Sequence, residues 1–357
     1  MRRLPPWVAL LVVVGGIYVV VSAGWVASSP PSLGFDVLLV RSAGERLLNG
    51  QPIYVDPAGA SFVDPGPDDF YGPPALAVLG AVLARVPAEI VRLAAFPVSW
   101  LVYAAGIGAL AATLGLTRDQ LAGGFVGAML AFAVFWGATL GASSVWLFGL
   151  LAVAIGALVR RADVLAGVLI GTAAALRVYP VVLLIPLVVA GRWWAIGSAL
   201  AAVVGWTFIG VVIAGPEATR TFVDLLFALQ GVDAGSSNVA LGGAARWLSM
   251  VAGLAVLGWA GWLARSATGL LDAVLAWALT LAGMLLVTPV VWDHYTTALL
   301  PLVLAIMASV GGPVAGLLSM AMLPASLAGG YILVWLPVFG AAVALSRRRR
   351  LHPAVES

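Results

Sequence analysis

The chain has 357 residues, 62% of them hydrophobic and 9% charged, with a mean hydropathy of +1.09, a composition that defines an integral membrane protein where ordinary soluble domains carry roughly 25% charge. It has no cysteine and no lysine, and imidazole occurs only at His294 and His352, which excludes thiolate nucleophiles, disulfides, Schiff-base chemistry, a Walker-type lysine and a histidine metal cluster. Any catalysis runs on Asp, Glu, Arg, Tyr or one His, and the pI near 9.6 reflects arginines at the cytoplasmic flanks, not a nucleic-acid surface.

In chain order, Trp7 to Ala27 is an apolar run of 21 residues, enough to cross about 30 Å of hydrocarbon as a helix and longer than a signal-peptide core. We read it as an uncleaved anchor. Arg2 and Arg3 before it, and "SRRRR" at 346–350, assign both termini and the tail 347–357 to the cytoplasm. The loop 28–73 is therefore extracytoplasmic, and it holds six of the 15 acids against two arginines. It opens with a helix, 36–49, on which Val37, Leu39, Val40, Ala43, Gly44, Leu47 and Leu48 share one apolar arc with Asp36 near its middle. Asp36 is either the helix N-cap or an acid made a better proton acceptor by partial desolvation, and the two roles can coexist. Further along, Asp68 and Asp69 form a solvated turn or an oxygen-lined sugar or cation site. Tyr54, Phe70 and Tyr71 offer stacking faces and hydroxyls for a carbohydrate, although aromatic residues also collect at membrane interfaces.

From Pro74 onward, apolar segments fall at 74–87, 90–113, 121–138, 141–159, 163–190, 194–214, 245–264, 270–291, 295–311, 312–328 and 330–346. With the first, that makes about twelve transmembrane helices in one domain, 1–357, with a second extracytoplasmic loop at 215–245. This count leaves Arg160 and Arg161 outside, against the positive-inside tendency, unless 163–190 breaks at Pro180 and an earlier segment is only a half-span; the single kinked span is the preferred reading. Arg177 lies between 13 uncharged residues before it and 14 after it. Such an arginine usually faces an interior cavity and meets an anion, and a phosphate suits its planar fork. Arg246, at the edge of the second loop, and Asp293 and His294 in "TPVVWDHY" fall on the same outer face as Asp36.

Four stretches in order resemble the family-87 glycosyltransferases of the GT-C class, multi-span enzymes that take mannose from a polyprenyl phosphate. "FDVLLVRSAGERLLNGQPIY" is similar to that family's Asp-bearing helix, and "FYGPPALAVL" to its aromatic, proline-rich entry to a span. "LRVYPVVLLIPLVVAGRWW" resembles its basic-plus-proline segment, and "TPVVWDHYTTALLPLVL" its Ser/Thr-Pro, Trp, His segment. The chain departs from the pattern at Arg177, where lysine is usual, and at Tyr295, where a second histidine is usual. It departs again at Val239 and Ala240 beside Asn238, and at Ala142.

The resemblance implies an all-α GT-C-type membrane protein with a long first extracytoplasmic loop carrying an interfacial helix. It implies inverting transfer of mannose, with Asp36 as general base and Arg177, Arg246 and His294 holding the donor phosphate. Tyr54, Asp68, Asp69, Tyr71, Asn238 and Asp293 would line the substrates. The implied partners are a polyprenyl-phosphate sugar donor, a glycolipid or lipoglycan acceptor and membrane lipids, with no nucleic acid and no cofactor. No metal is expected, although the Asp68–Asp69 pair keeps that open. A lipid-phosphate pentose such as arabinofuranose is the alternative donor; a transporter or flippase, or a non-catalytic partner subunit, are the alternatives of other classes.

Overall fold

The computed structural model describes residues 33–55, 69–116, 132–229, 243–289 and 291–310. The expected spans at 7–27, 312–328 and 330–346, most of 121–138, and the cytoplasmic tail lie outside these residues, as do Asp68 and Asn238. Among the described residues every regular element is helical. They are α1 (Phe35–Leu48), α2 (Pro74–Leu83), α3 (Ala88–Leu114), α4 (Phe132–Leu140), α5 (Ser143–Val159), α6 (Asp163–Leu176), α7 (Leu184–Val189), α8 (Trp193–Ala214), α9 (Pro216–Leu229), α10 (Gly243–Ser266), α11 (Leu270–Val287) and α12 (Leu300–Val310). Short 3-10 helices, Tyr179–Leu183 and Asp293–Leu299, lead into α7 and α12.

Among the described residues, four helices have the length and apolar composition to cross a membrane: Ala88–Leu114, Trp193–Ala214, Arg246–Ser266 and Leu270–Val287. Their cores interdigitate through small residues, as lipid-embedded bundles do. A Cβ placed on Gly106 of α3 would sit 2.2 Å from the Gly149 carbonyl oxygen of α5, so these two backbones touch. Thr113 likewise faces Gly156, which makes α3 and α5 parallel. Large lipid-facing side chains remain on the outside, among them Val204, Phe208 and Val212 of α8.

Two expected spans take a different form. The segment 74–87 contains α2, ten residues and about 15 Å long, which is half a hydrocarbon core. Its Pro74 end packs on Gly210 of α8 and its Gly80 end on Val40 of α1, so both ends stay on one side of the bundle. The segment 163–190 is a hairpin, not one kinked span. Its limb α6 ends at Leu176, Arg177 takes an extended conformation (φ −152°, ψ 109°), and the chain returns through the 3-10 turn and α7. The return is proved at the base, where Arg192 Nη2 meets Asp163 Oδ1 at 2.5 Å and also donates to the Leu158 carbonyl. The break follows Leu176 because Pro180 has no N–H to donate to the Leu176 carbonyl and its ring would clash with that oxygen, and because the polar head of Arg177 bonds Ser143 of α5.

A third difference concerns 215–245, read as a polar interruption. Its first half is α9, an amphipathic helix that buries Phe222 and Leu225 and exposes Glu217, Arg220 and Asp224.

The bundle thus has two ends. At one lie α1, α2, the start of α5, the tip of the hairpin and the start of α10. At the other lie Arg160, Arg161, Asp163, Arg192, Arg265 and Asp272, the ends of α5, α7 and α10 and the starts of α6 and α11.

Candidate functional site

Helix α1 is held against the bundle by its backbone. Gly34, not Asp36, occupies the N-cap position, with φ +72° and no side-chain cap, and its N–H donates to the Thr139 carbonyl at the end of α4 at 2.7 Å. Asp36 is the second helical residue, in the first turn, where the helix dipole favours a carboxylate. Gly44 meets Gly80 of α2 so closely that a Cβ on Gly44 would fall 2.0 Å from the Gly80 carbonyl carbon. The apolar arc expected for this helix divides: Ala43 and Gly44 are buried, Val40 and Leu47 are partly buried against the core, and Leu48 is exposed. The polar side is tied down by Arg41, which donates to Glu45 (2.8 Å) and to the Val86 carbonyl (3.2 Å), and by Arg46, which donates to the Ile53 carbonyl (3.0 Å).

Asp36 carries no hydrogen bond among the described residues and is half-buried. Helix α1 lies outside the spanning segments. There, burial raises the carboxyl from 3.8 to about 6, and the guanidinium of Arg177 opposes that rise. The two groups feel each other's charge, yet no ion pair within 4.0 Å joins them. More than 4.0 Å separates carboxylate and guanidinium.

Arg177 is positioned by neutral partners. At the hairpin tip its Nε donates to Ser143 Oγ (2.9 Å) at the start of α5, and its Nη1 to the Tyr295 hydroxyl (3.1 Å). Tyr295 packs in turn at a tilt against Tyr179 (centroids 5.2 Å apart) and meets Phe148 edge-on (6.2 Å). His294 is buried against Gly137 of α4 and lies edge-on to Tyr295 at 4.9 Å, with Nε2 sealed and unpartnered among the described residues. The 3-10 helix that carries His294 is fixed by Tyr103, whose buried hydroxyl donates to the Thr297 carbonyl (2.8 Å).

Of the residues singled out in the sequence, Asp36, Arg177 and His294 converge here. Arg246 stands in the first turn of α10 at the same end of the bundle, one turn before Ser249, which donates to Leu286 of α11. Asp293 begins the second 3-10 helix, and its side chain is outside the described residues. Tyr54 is built into the loop structure: it stacks on Phe70 (5.8 Å) and donates to the Gly72 carbonyl (2.8 Å). Asp69 bonds Tyr71, and burial together with that carboxylate holds the Tyr71 phenol above its ordinary range. Sequence reasoning missed Ser143, Tyr179 and Tyr295, although Tyr179 and Tyr295 each lie within two residues of a residue it did select. No group of three acidic or histidine side chains that could hold a metal occurs among the described residues.

Ionisable side chains held together at one end of a multi-helix membrane bundle mark a functional site. Residues 70–310, about two thirds of the chain, match the model of glycosyltransferase family 87, and the chain belongs to that family. It is a membrane glycosyltransferase, with a sugar donor and an acceptor as its substrates. Asp36 and Tyr54 precede the matched residues. Comparison with curated proteins and with solved structures gives no match.

Proposed function

We propose that this glycosyltransferase moves mannose with inversion from a polyprenyl phosphate to a glycolipid or glycan acceptor, on the outer side of the cytoplasmic membrane. The observation that carries the reading is the placement of Asp36 and Arg177, near enough for their charges to interact yet beyond ion-pair distance. An inverting transfer needs a base on one side of the anomeric carbon and a cation on the other. Asp36 takes the proton of the acceptor hydroxyl as its oxygen bonds to the anomeric carbon. The bond from that carbon to the phosphate oxygen breaks, and lipid phosphate leaves toward Arg177 with its electron pair. A β-linked donor then yields an α-linkage. Arg246 and His294 contribute to holding phosphate or sugar. Asp68, Asp69, Tyr71, Asn238 and Asp293 remain the proposed substrate-side residues, no metal takes part, and Tyr54 acts by shaping the loop.

The outward orientation is supported by the two corrected segments. With α2 kept on one side and 163–190 folded back, the count of about twelve crossings is unchanged, yet Arg160 and Arg161 move to the cytoplasmic face, where Arg192 and Arg265 already lie, as the positive-inside rule favours. Below the hairpin tip, Leu151, Ile155, Leu183, Leu187 and Leu281 close the interior with apolar side chains, which argues against a carrier's polar path.

The test is to present the purified protein in lipid with a panel of polyprenyl-phosphate sugars. Consumption of the mannosyl donor with formation of an α-product is expected; use of a nucleotide sugar alone overturns the reading, and use of a pentosyl donor alone corrects the sugar. Because the chain has no cysteine, Glu45→Cys should be labelled from outside in intact cells and Arg160→Cys only after lysis. The reverse pattern inverts the topology.

A further inference from the structure

The walls around Arg177 hold more hydrogen-bonding capacity than the protein itself uses. Tyr295 is 4% exposed, and its hydroxyl accepts from Arg177 Nη1. Its own hydrogen has no acceptor among the described residues. The Tyr179 hydroxyl is sealed from solvent and has no partner there at all. Both phenols act electrostatically on Arg177, and their rings lie 5.2 Å apart, fixed by Phe148 against both. Buried hydroxyls are nearly always hydrogen-bonded, since each unmade bond costs about 1–3 kcal/mol. Two such phenols beside one guanidinium mark a place where an acceptor belongs, and the positive charge of Arg177 favours an anionic one.

We propose that Tyr179 and Tyr295 are donor-binding residues that, with Arg177, form a three-part cradle for the phosphate of the lipid-linked sugar. This inference rests on the reading of the donor as a polyprenyl phosphate. The guanidinium supplies charge, and the two phenols supply directed O–H donors to the non-bridging oxygens as charge builds on the departing group. Tyrosine suits the task because its rigid ring packs among apolar neighbours in the bundle while its tip stays polar. Tyr295 has a second effect. By accepting from Nη1 it fixes the plane of the guanidinium, so the remaining N–H groups of Arg177 keep one orientation.

The test uses the full chain in lipid, with farnesyl phosphate as a stand-in for the leaving group and farnesol as its uncharged control. Inhibition of transfer by each is measured in the wild type, Tyr179→Phe and Tyr295→Phe. The phenylalanine variants keep the rings that pack the site, and an unchanged unfolding midpoint verifies that. The expected result is about tenfold weaker inhibition by farnesyl phosphate in each variant, as for loss of one charge-assisted hydrogen bond, with farnesol and the acceptor KM unaffected. Equal inhibition of variants and wild type by farnesyl phosphate overturns the cradle and leaves the donor reading standing. A wild type indifferent to farnesyl phosphate overturns both. If Tyr295→Phe raises donor and acceptor KM alike, Tyr295 is structural and leaves the cradle.

Discussion

Two arginines sit at opposite ends of one hairpin, and they could hardly be treated more differently. Arg192 at the base is 6% exposed and in direct contact with the Asp163 carboxylate and the Leu158 carbonyl. Its charge is answered within the protein. Arg177 at the tip is held by the neutral hydroxyls of Ser143 and Tyr295, while the nearest relevant carboxylate, Asp36, stands beyond ion-pair distance. An arginine bonded to neutral acceptors keeps its appetite for an anion; one already paired has spent it. The same residue type at the two ends of one hairpin is thus paired with a carboxylate at one end and left without one at ion-pair distance at the other, and the partner, not the burial, makes the difference.

That contrast is open to attack, and the most severe blow falls on the distant carboxylate. Asp36→Asn should lower transfer by roughly a thousandfold, the range of a lost general base, with protein level and unfolding unchanged. Near-normal turnover would strip Asp36 of its role. Next, Arg177→Ala should weaken donor use by about a hundredfold and leave acceptor KM near its starting value, measured by initial rates at varied donor; equal effects on both would make Arg177 another Arg192. Arg192→Ala should do the opposite, lowering stability by about 2 kcal/mol through the stranded Asp163 while donor KM holds in the protein that remains folded. That figure lies below the usual range for a buried pair because the Asp163 side chain is 21% exposed.

The smallest effect is a shift in pH dependence. Asp36 must be ionised to act, so transfer should rise with pH through about 6 and flatten above it. Since Arg177 lowers that value, Arg177→Gln should move the midpoint upward in its residual activity. The sign for stability is opposite: a carboxyl that binds its proton more tightly when folded contributes stability below about 4, lost as pH rises through about 6. A midpoint unmoved by Arg177→Gln would mean the two groups do not communicate.

The long crossings were legible because a run of 18 or more apolar residues has few other uses, and α3, α8, α10 and α11 fall within a few residues of where hydropathy puts them. The hairpin and the one-sided α2 were not, because hydropathy counts apolar residues without recording direction. A chain that turns back inside the bundle looks the same as one that passes through. Only the contact between Arg192 and Asp163, 29 positions apart, reveals the return. Helix α9 was hidden for a related reason: its apolar residues alternate with charges at helical spacing, which lowers its average below that of a span. For the site, Asp36, Arg177 and His294 stood out as charge or imidazole in apolar surroundings. Ser143, Tyr179 and Tyr295 did not, since a serine or a tyrosine in an apolar segment is common and only its neighbours give it meaning.

The bond from Gly34 to Thr139 has a further implication for how such a chain can vary over generations. The acceptor is a main-chain oxygen, so any small residue that fits the fully buried position 139 preserves it, and the seat of α1 does not depend on the side chain of that partner. The burden falls instead on a single glycine whose left-handed backbone few other residues tolerate and whose missing side chain leaves 3.0 Å to the Arg92 backbone. Position 34 itself is thus the constrained point in the seating of α1.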